Sequence, residues 1–243
     1  MRLAWQTARL VSRRHETSAA STLVLEVADW PGHLAGQHVD LRLSAPDGYT
    51  AVRSYSLAAP ADGDRVEVTI QNVPGGEVSP YLTEALGVGD AVELRGPAGG
   101  WFVWRPDDAA PVVLVAGGAG VVPLMAMIRA RRAARSRVPF RLIYSVRSAD
   151  ELYYADELRL MAPADRGVDV AYVYTRTAPA GAARPPGRLT PADVIAGSWP
   201  PEFEPACFVC GPTGFVEAAA DILVALGHDP DRVRTERFGP TGG

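Results

Sequence analysis

The sequence predicts two domains, an antiparallel β-sheet or small barrel followed by an α/β domain. Short alternating runs such as STLVLEV and DRVEVTIQNV occur up to about Arg105, and this pattern is typical of antiparallel strands buried on one face. Beyond that point, continuous apolar runs such as VVLVA alternate with amphipathic helical stretches, which indicates a parallel sheet covered on both faces. We place the two domains at residues 1–106 and 107–243.

Length and composition describe a globular chain with a substantial core. The 243 residues are 47% hydrophobic and 21% charged, with a formal net charge of -4. The negative charge argues against a nucleic-acid partner, because phosphate backbones are generally bound by basic surfaces. The sequence shows neither a signal-peptide pattern nor an apolar run long enough to span a membrane. We therefore expect a cytoplasmic protein without a membrane partner.

The chain has two cysteines, Cys207 and Cys210. Two thiols exclude a disulfide framework and a four-cysteine iron–sulfur cluster within these residues. Their C-x-x-C spacing leaves a redox dithiol open, but such dithiols sit at a helix N-terminus, whereas these residues lie along a predicted strand and point to opposite faces. We favour a packing role for Cys207. The four histidines show no metal-ligand spacing, and we predict no metal site.

One helical stretch interrupts the first domain. In the segment SPYLTEALG, Ser79 is a residue type that caps helix N-termini, Pro80 suits the first helical turn, and Gly87 can end a helix. The sequence therefore predicts a short α-helix that begins at Ser79.

A glycine cluster follows the first strand of the second domain. Gly117, Gly118 and Gly120 stand between VVLVA and a helical stretch whose first turn accommodates Pro123. Backbone N–H groups at such a strand-to-helix turn can receive a pyrophosphate. The spacing G-G-x-G-x-x-P matches neither G-x-G-x-x-G nor the P-loop pattern. Taken alone, the stretch leaves two interpretations open, a nucleotide site and a merely tight turn.

The segment RSYS is a weak pattern in isolation, where it favours an ordinary strand end. Its order relative to five other segments is specific, and together they resemble the ferredoxin–NADP(+) reductase family. The segments are RSYS (53–56), GGEVS (75–79), GPAGGWF (96–102), GGAGVVP (117–123), YTR (174–176) and CGPTGF (210–215). The resemblance covers nearly the whole chain and implies an antiparallel flavin-binding barrel followed by a nicotinamide-nucleotide domain.

The resemblance implies an FAD site in the first domain, and FAD rather than FMN rests on the resemblance alone. Arg53 would pair with the flavin pyrophosphate, which suits a guanidinium that donates two parallel hydrogen bonds. Tyr55 would lie against the isoalloxazine ring, and Ser56 would act as a catalytic residue by hydrogen-bonding near its N5. The other implied flavin contacts are Ser54, Gln71, Gly76, Val78, Ser79 and Phe238.

The expected positions of three of these residues explain how they would contact the flavin. Gly76 and Ser79 open the helical stretch, so the flavin phosphates would meet a helix N-terminus. A plain helix cap is the alternative for Ser79, and the two roles are compatible. Phe238 would lie near the flavin and shield the ring.

For the nicotinamide nucleotide, the resemblance makes the glycine cluster the dinucleotide turn. Cys210 would lie at a strand end beside the nicotinamide ring and, as a second catalytic residue, help to hold it near the flavin. Ala119 stands where the family often has Thr or Ser, which removes a hydroxyl contact and leaves backbone contacts intact. The implied nucleotide contacts are Gly117, Gly118, Ala119, Gly120, Pro123, Cys210, Gly211 and Pro212.

Three arginines bear on the choice between NADPH and NADH. Arg147, Arg176 and Arg188 each follow or lie close to a predicted strand end, and a 2′-phosphate is bound by arginines at such places. Together with the resemblance to NADP-using members, they favour NADPH. The alternative is that the arginines are general family features with solvated side chains. Asp150 and Glu151 are interpreted as the first turn of a helix rather than as ribose ligands.

The function implied is hydride transfer from NADPH, or NADH, onto FAD. The electrons then pass to a ferredoxin-type one-electron protein, in support of an oxygenase or P450. A separate ferredoxin is expected because the sequence contains no ferredoxin domain. The alternative is a reductase of free flavin, and a non-catalytic nucleotide-binding regulatory subunit is a third hypothesis. The sequence does not indicate the oligomeric state.

Overall fold

The computed structural model describes residues 4–164 and 167–238, and within them the chain forms two compact units. One unit runs to Arg105 and takes in Met125–Ala130, and the other comprises Pro106–Leu124 and the chain from Arg131 onward. Each unit has its own β-sheet and its own apolar core.

The sheet of the first unit is antiparallel. Among the described residues its strands are β1 Trp5–Thr17, β2 Ala20–Val27, β3 His38–Ser44, β4 Thr50–Ser56, β5 Arg65–Gln71 and β6 Ala91–Ala98. They pair in the order β4-β3-β6-β1-β2-β5. A bridge between Leu57 and Val68 joins the end of β4 to β5, the two strands at the ends of that order. The sheet therefore curls into a barrel, and the predicted antiparallel domain is confirmed.

The inner face of this sheet packs around an apolar core. Alternate residues are buried, for example Val39 and Leu41 in β3, both at 0% exposure. Directly opposite residues of an antiparallel pair share a face, and β4 places Tyr55 opposite Val39 and Arg53 opposite Leu41. Arg53 and Tyr55 therefore lie on the core side of the sheet.

The helical stretch after β5 differs from its prediction. The predicted helical stretch does open at Ser79, since Ser79 and Pro80 are helical, but it continues as a π-helical turn, Tyr81–Ala85, and no side-chain cap is present, so the capping role predicted for Ser79 is wrong. The N–H of Leu86 donates to Tyr81 O over 2.8 Å. The hydroxyl of Ser79 instead accepts from Val73 N–H, 3.1 Å away. The hydroxyl of Ser79 thus binds the preceding loop, whereas its backbone carbonyl accepts from the Thr83 hydroxyl over 2.8 Å.

The sheet of the second unit is parallel, as predicted. In the described part of the chain its strands are β7 Val112–Gly117, β8 Phe140–Val146, β9 Val168–Tyr174, β10 Ala206–Pro212 and β11 Val233–Phe238. They pair in the order β11-β10-β7-β8-β9. The helices are α1 Val121–Ala133, α2 Ala155–Ala164, α3 Pro191–Gly197 and α4 Thr213–Ala225. Over residues 4–164 and 167–238, no helix combines the length and apolar character that crossing a membrane requires.

Helix α2 begins later than predicted. The segment read as its first turn forms a separate 3-10 turn, Ala149–Glu151. Tyr154 has a positive φ of 57°, which a helix does not accommodate, and Tyr153 N–H donates to the buried Tyr144 hydroxyl over 3.1 Å. The helix can therefore start only at Ala155. The sequence pattern also failed to indicate α3 and β11.

Candidate functional site

Arg53 on β4 reaches the loop that follows β5. Its Nη2 atom lies 3.4 Å from Glu77 Oε2, and its Nη1 atom donates to Val52 O over 2.8 Å. Tyr49 OH donates to the other oxygen of Glu77, 2.9 Å away. The Arg53 side chain is 35% exposed, so its remaining donors can meet an anion. The structure thus brings Arg53 to the segment 75–79, as the resemblance implies.

The 75–79 segment is a tight turn built on Val73. Gly76 N–H donates to Val73 O over 2.9 Å, and Ser79 Oγ accepts from Val73 N–H. A Cβ at Gly76 would lie 3.0 Å from Val73 O and 3.3 Å from Ser79 Oγ. Gly75 has a positive φ of 76°, a conformation that favours glycine. Both glycines of the GG pair are therefore explained by backbone geometry.

Tyr55 and Ser56 suit a flat cofactor ring with polar atoms at its edge, because one offers an aromatic side chain and the other a hydroxyl. Tyr55 packs against the barrel core, and burial raises the pKa of its phenol to about 12. Ser56 is 5% exposed, and its Oγ atom has no hydrogen-bond partner among the described residues. An unsatisfied buried hydroxyl costs about 1–3 kcal/mol, and a polar ligand atom would remove that cost. These residues fit a bound flavin.

Three other predicted flavin contacts are placed differently. Ser54 Oγ donates to Asp40 Oδ1 over 2.6 Å, on the face of β4 opposite to Arg53 and Tyr55. Gln71 is exposed at the end of β5. Val78 is 1% exposed, with its side chain in the core, so only its backbone is available to a ligand.

The glycine cluster packs closely against β10 and α4. After β7, Gly118–Gly120 forms a 3-10 turn that leads into α1. A Cβ at Gly120 would lie 2.1 Å from Cys210 O, and one at Gly117 would lie 2.5 Å from the Phe215 ring. Gly118 has a positive φ of 52° and open space around it. Two glycines therefore serve packing, and Gly118 leaves room for a ligand.

Both cysteine thiols are buried and protonated. Cys207 and Cys210 are 0% exposed; burial raises the pKa of Cys207 to about 12 and also raises that of Cys210. Cys207 Sγ lies 3.8 Å from His228 Nδ1, and burial lowers the pKa of that imidazole. Thiolate chemistry is disfavoured at both positions, which argues against the redox dithiol and supports packing for Cys207.

Glu236 on β11 is a candidate that the sequence patterns did not indicate. It stands opposite Cys210 in the β10–β11 register. Its Oε2 atom is buried without a hydrogen-bond partner in the described ranges 4–164 and 167–238, and burial raises the pKa of the carboxyl to about 7. A carboxyl that titrates near neutral pH beside a predicted nicotinamide contact is a candidate functional group.

The raised pKa of Glu236 predicts a pH-dependent stability. The folded protein holds a proton that the unfolded chain, with the ordinary value of 4.5, has released. The free energy of unfolding should therefore fall by about 3 kcal/mol as the pH rises from about 4.5 to about 7. Glu236→Gln should remove this fall and be the more stable protein above pH 7. Urea unfolding across the pH range measures it.

The matched control is Glu217→Gln, which changes an exposed glutamate on α4. That variant should follow the wild-type pH profile. Parallel profiles for wild type and Glu236→Gln would contradict the assignment.

The remaining predicted contacts lie near the carboxyl ends of the strands. Pro212 and Phe238 are opposite each other where β10 and β11 end. Ala119 is half-buried within the 3-10 turn, and Pro123 is the third residue of α1. Gly211 has a positive φ of 154° and approaches Gly117 O.

The backbone brings the three predicted arginines to neighbouring strand ends. Arg147 O, just after β8, accepts from Arg176 N–H and Thr177 N–H, both over 3.0 Å. Tyr174 O, at the end of β9, accepts from Gly187 N–H over 2.9 Å, which places Arg188 at the same edge. All three arginine side chains are exposed.

In the described part of the chain, no group of three or more His, Cys, Asp or Glu is placed to hold a metal.

A barrel with an arginine-tyrosine-serine strand, together with a parallel sheet whose central strand ends in a glycine turn, defines a class of flavin- and nicotinamide-nucleotide-dependent oxidoreductases. Comparison with known proteins agrees. The family model described as oxidoreductase FAD-binding domain matches residues 8–103, and the one described as oxidoreductase NAD-binding domain matches residues 114–221. The chain belongs to the ferredoxin–NADP(+) reductase family.

Relatives and solved structures show how far the likeness extends. The chain is 32% identical over 235 residues to a flavohemoprotein of Pseudomonas putida, covering 96% of this chain and 58% of that protein. It is 33% identical over 192 residues to the ferredoxin–NAD(P)(+) reductase component of the naphthalene 1,2-dioxygenase/salicylate 5-hydroxylase systems of a Ralstonia species, covering 79% and 57%. An Amycolatopsis cytochrome P450 reductase superposes with a TM-score of 0.85 at 29% identity, covering 99% and 71%. This chain spans less than two thirds of the length of these curated relatives.

Proposed function

We propose that this protein transfers electrons from NADPH through FAD to a ferredoxin-type one-electron protein, in support of an oxygenase or P450 system. The observation that carries the proposal is the unsatisfied buried hydroxyl of Ser56, on the strand that also carries Arg53 and Tyr55. The relatives support an oxygenase-linked role, since one is named as a reductase component of a dioxygenase system and another as a P450 reductase. A cytoplasmic location accompanies the proposal, because NADPH is a cytosolic reductant.

In this proposal residues 1–106 bind FAD and residues 107–243 bind the nicotinamide nucleotide. Bound FAD supplies the ability to take up electrons in a pair and to release them singly. Arg53 donates paired hydrogen bonds to the pyrophosphate, Tyr55 offers a flat apolar face, and Ser56 donates to a ring nitrogen. These contacts orient the ring, and orientation is the main contribution of the protein in a cofactor enzyme.

The nucleotide site lies at the carboxyl edge of the parallel sheet. The first N–H groups of α1, after the open position of Gly118, receive the pyrophosphate. Cys210 is 0% exposed, so in this proposal it supports the nicotinamide site from within β10 as a small neutral residue, because burial raises the pKa of its thiol and keeps the proton in place. The two cysteines of the chain are too few for a four-cysteine iron–sulfur cluster, so a cluster of that kind would belong to another protein or domain.

The test is spectroscopic. The purified protein should be yellow, and its flavin absorbance should bleach when NADPH is added without oxygen. Turnover is then compared with ferredoxins, cytochromes and free flavins as acceptors, and the proposal expects the highest kcat/KM with a ferredoxin.

Each other outcome points elsewhere. A preference for free flavin would favour a flavin reductase. A protein that binds NADPH but neither takes up flavin nor oxidises the nucleotide would be the regulatory subunit, and the proposal would be withdrawn.

The preference for NADPH is tested at Arg176 and Arg188. Replacing either with alanine should raise the KM for NADPH about tenfold, since each guanidinium donates a charge-assisted hydrogen bond to the 2′-phosphate. The KM for NADH should change less than about twofold, because NADH lacks that phosphate. Steady-state kinetics with both nucleotides measure the two effects.

Arg159→Ala is the matched control, since Arg159 is an exposed arginine of the same unit that pairs with Asp156 on α2. It should leave both KM values unchanged. Equal increases for NADPH and NADH in the Arg176 and Arg188 variants would remove the 2′-phosphate assignment.

A further inference from the structure

The connection between β9 and α3 carries two of the arginines assigned above. Arg176 stands at its start and Arg188 near its end, and the intervening sequence TAPAGAARPPG is rich in proline, glycine and alanine. Small side chains bury little apolar surface, so this segment has few contacts of its own that could fix its course. The direction in which the Arg188 side chain leaves the backbone must therefore be set by specific hydrogen bonds.

Arg184 supplies those bonds from within the same connection. Its Nη2 atom donates to Gly187 O over 3.0 Å and to Arg188 O over 2.9 Å. Its Nη1 atom donates to Pro185 O over 3.3 Å. One planar guanidinium thus holds three carbonyl groups of the segment 185–188.

Two of these carbonyls belong to the peptide groups on either side of the Arg188 Cα atom. Because each peptide group is planar, fixing both carbonyl directions fixes the φ and ψ angles of Arg188. Those angles set the direction of its Cα–Cβ bond. Arg184 therefore determines where the side chain of Arg188 leaves the backbone.

Arg184 is itself anchored to the start of α3. Its Nε atom lies 2.8 Å from Asp193 Oδ1 in an ion pair whose geometry is not that of a hydrogen bond, and the two side chains are 28% and 13% exposed. The second oxygen of Asp193 accepts from Thr190 N–H over 2.8 Å and from the Thr190 hydroxyl over 2.6 Å. Thr190 and Asp193 form the capping box of α3, so the carboxylate that holds Arg184 is fixed by the helix.

Further contacts hold the backbone on both sides of Arg188. Gly187 N–H donates to Tyr174 O at the end of β9, and Leu189 packs against the apolar core of the second unit. Arg176 is tied to the neighbouring strand end through Arg147 O. These contacts place the backbone of Arg188 beside the same sheet edge as Arg176, and Arg184 adds the orientation.

We propose that Arg184 is a positioning residue of the 2′-phosphate site, which orients Arg188 without touching the phosphate. The inference rests on the proposed use of NADPH. The guanidinium of Arg184 is occupied by Asp193 and by backbone carbonyls, whereas that of Arg188 is exposed. A lysine cannot replace Arg184 fully, because one nitrogen does not span the donors of a planar fork.

The experiment uses the FAD-loaded protein and two fragments, 2′,5′-ADP and 5′-AMP, which differ by the 2′-phosphate. Isothermal titration calorimetry gives the ratio of their Kd values in the wild type, Arg184→Ala, Arg188→Ala and the double variant. The wild type should prefer 2′,5′-ADP about tenfold or more, and each single variant should lose most of that preference. Binding of 5′-AMP should change less than about twofold. The double variant should lose no more than Arg188→Ala alone, because the two residues act as one unit.

Arg184→Lys is the second variant, and it should retain part of the preference while its urea midpoint stays near that of the wild type. Arg159→Ala serves as the arginine control. An unchanged preference in both Arg184 variants, an equal loss for the two fragments, or additive losses in the double variant would overturn the inference.

If the wild type itself does not prefer 2′,5′-ADP, the proposed preference for NADPH is contradicted and the inference fails with it. That failure is seen in the wild type, whereas a failure of the positioning role alone is seen only in the variants.

Discussion

Gly120→Ala should lower the free energy of unfolding of the second unit by about 3 kcal/mol or more. The added Cβ would lie 2.1 Å from Cys210 O, 2.3 Å from Cys210 C and 2.6 Å from Gly211 N. All three are backbone atoms of β10, which is paired with β7 on one side and β11 on the other. No flexible side chain can yield, so the clash must displace a central strand of the sheet.

The matched control is Gly214→Ala in α4. A Cβ there meets nothing within 4 Å, and alanine is favoured over glycine in a helix by up to about 1 kcal/mol. This variant should therefore be neutral or slightly more stable. Urea unfolding followed by circular dichroism compares the midpoints of both variants with the wild type. A wild-type midpoint for Gly120→Ala would contradict the close packing of the turn against β10.

The glycine cluster shows what a sequence motif can and cannot predict. The pattern of strand, glycines and helix correctly predicted a tight turn, because small residues next to a buried strand have few other structural uses. It did not predict that Gly117 and Gly120 are required by Phe215 and Cys210, which are distant in sequence. Nucleotide binding and tight packing were taken as alternatives; the structure shows tight packing at Gly117 and Gly120 and open space at Gly118, where we propose that the nucleotide binds.

The parallel sheet was largely predictable, and its last strand was not. Strands such as β7 are buried on both faces and are apolar throughout, so they stand out from the sequence. The strand β11, with the sequence VRTERF, is an edge strand with polar residues. This strand contacts β10 and α4, and the burial of the Glu236 Oε2 atom is not visible in the local sequence pattern. The buried carboxylate could therefore not be found by periodicity.

The two errors in helix prediction have a common physical origin. Ser79 has the residue type of a helix cap, but its hydroxyl accepts from Val73 N–H. Side-chain to backbone bonds of this kind compete with regular structure. The late start of α2 likewise depends on the bond from Tyr153 N–H to the Tyr144 hydroxyl, which reaches back to β8. Helix propensity is a property of the local residue types, so it predicts neither of these two contacts.

Arg53→Ala should weaken FAD binding by about 100-fold, so that the purified protein is largely colourless. The substitution removes a paired, charge-assisted set of hydrogen bonds to the pyrophosphate, and about 3 kcal/mol is the expected loss for such a pair. The folded barrel should persist, since the Arg53 side chain is 35% exposed and its ion pair with Glu77 spans 3.4 Å, a contact of little stabilising value at a surface. Flavin content after purification and the Kd from flavin fluorescence measure the effect.

Arg65→Ala separates the role of Arg53 from a general effect of charge. Arg65 is an exposed arginine of the same barrel, at the start of β5, and its removal changes the net charge by the same amount. If long-range attraction of the anionic cofactor were the cause, both variants would weaken FAD binding to a similar degree, and the difference would vanish at high salt. If Arg53 binds the pyrophosphate directly, Arg65→Ala should retain wild-type affinity and the deficit of Arg53→Ala should persist in salt. Similar losses in both variants would move the pyrophosphate site away from β4.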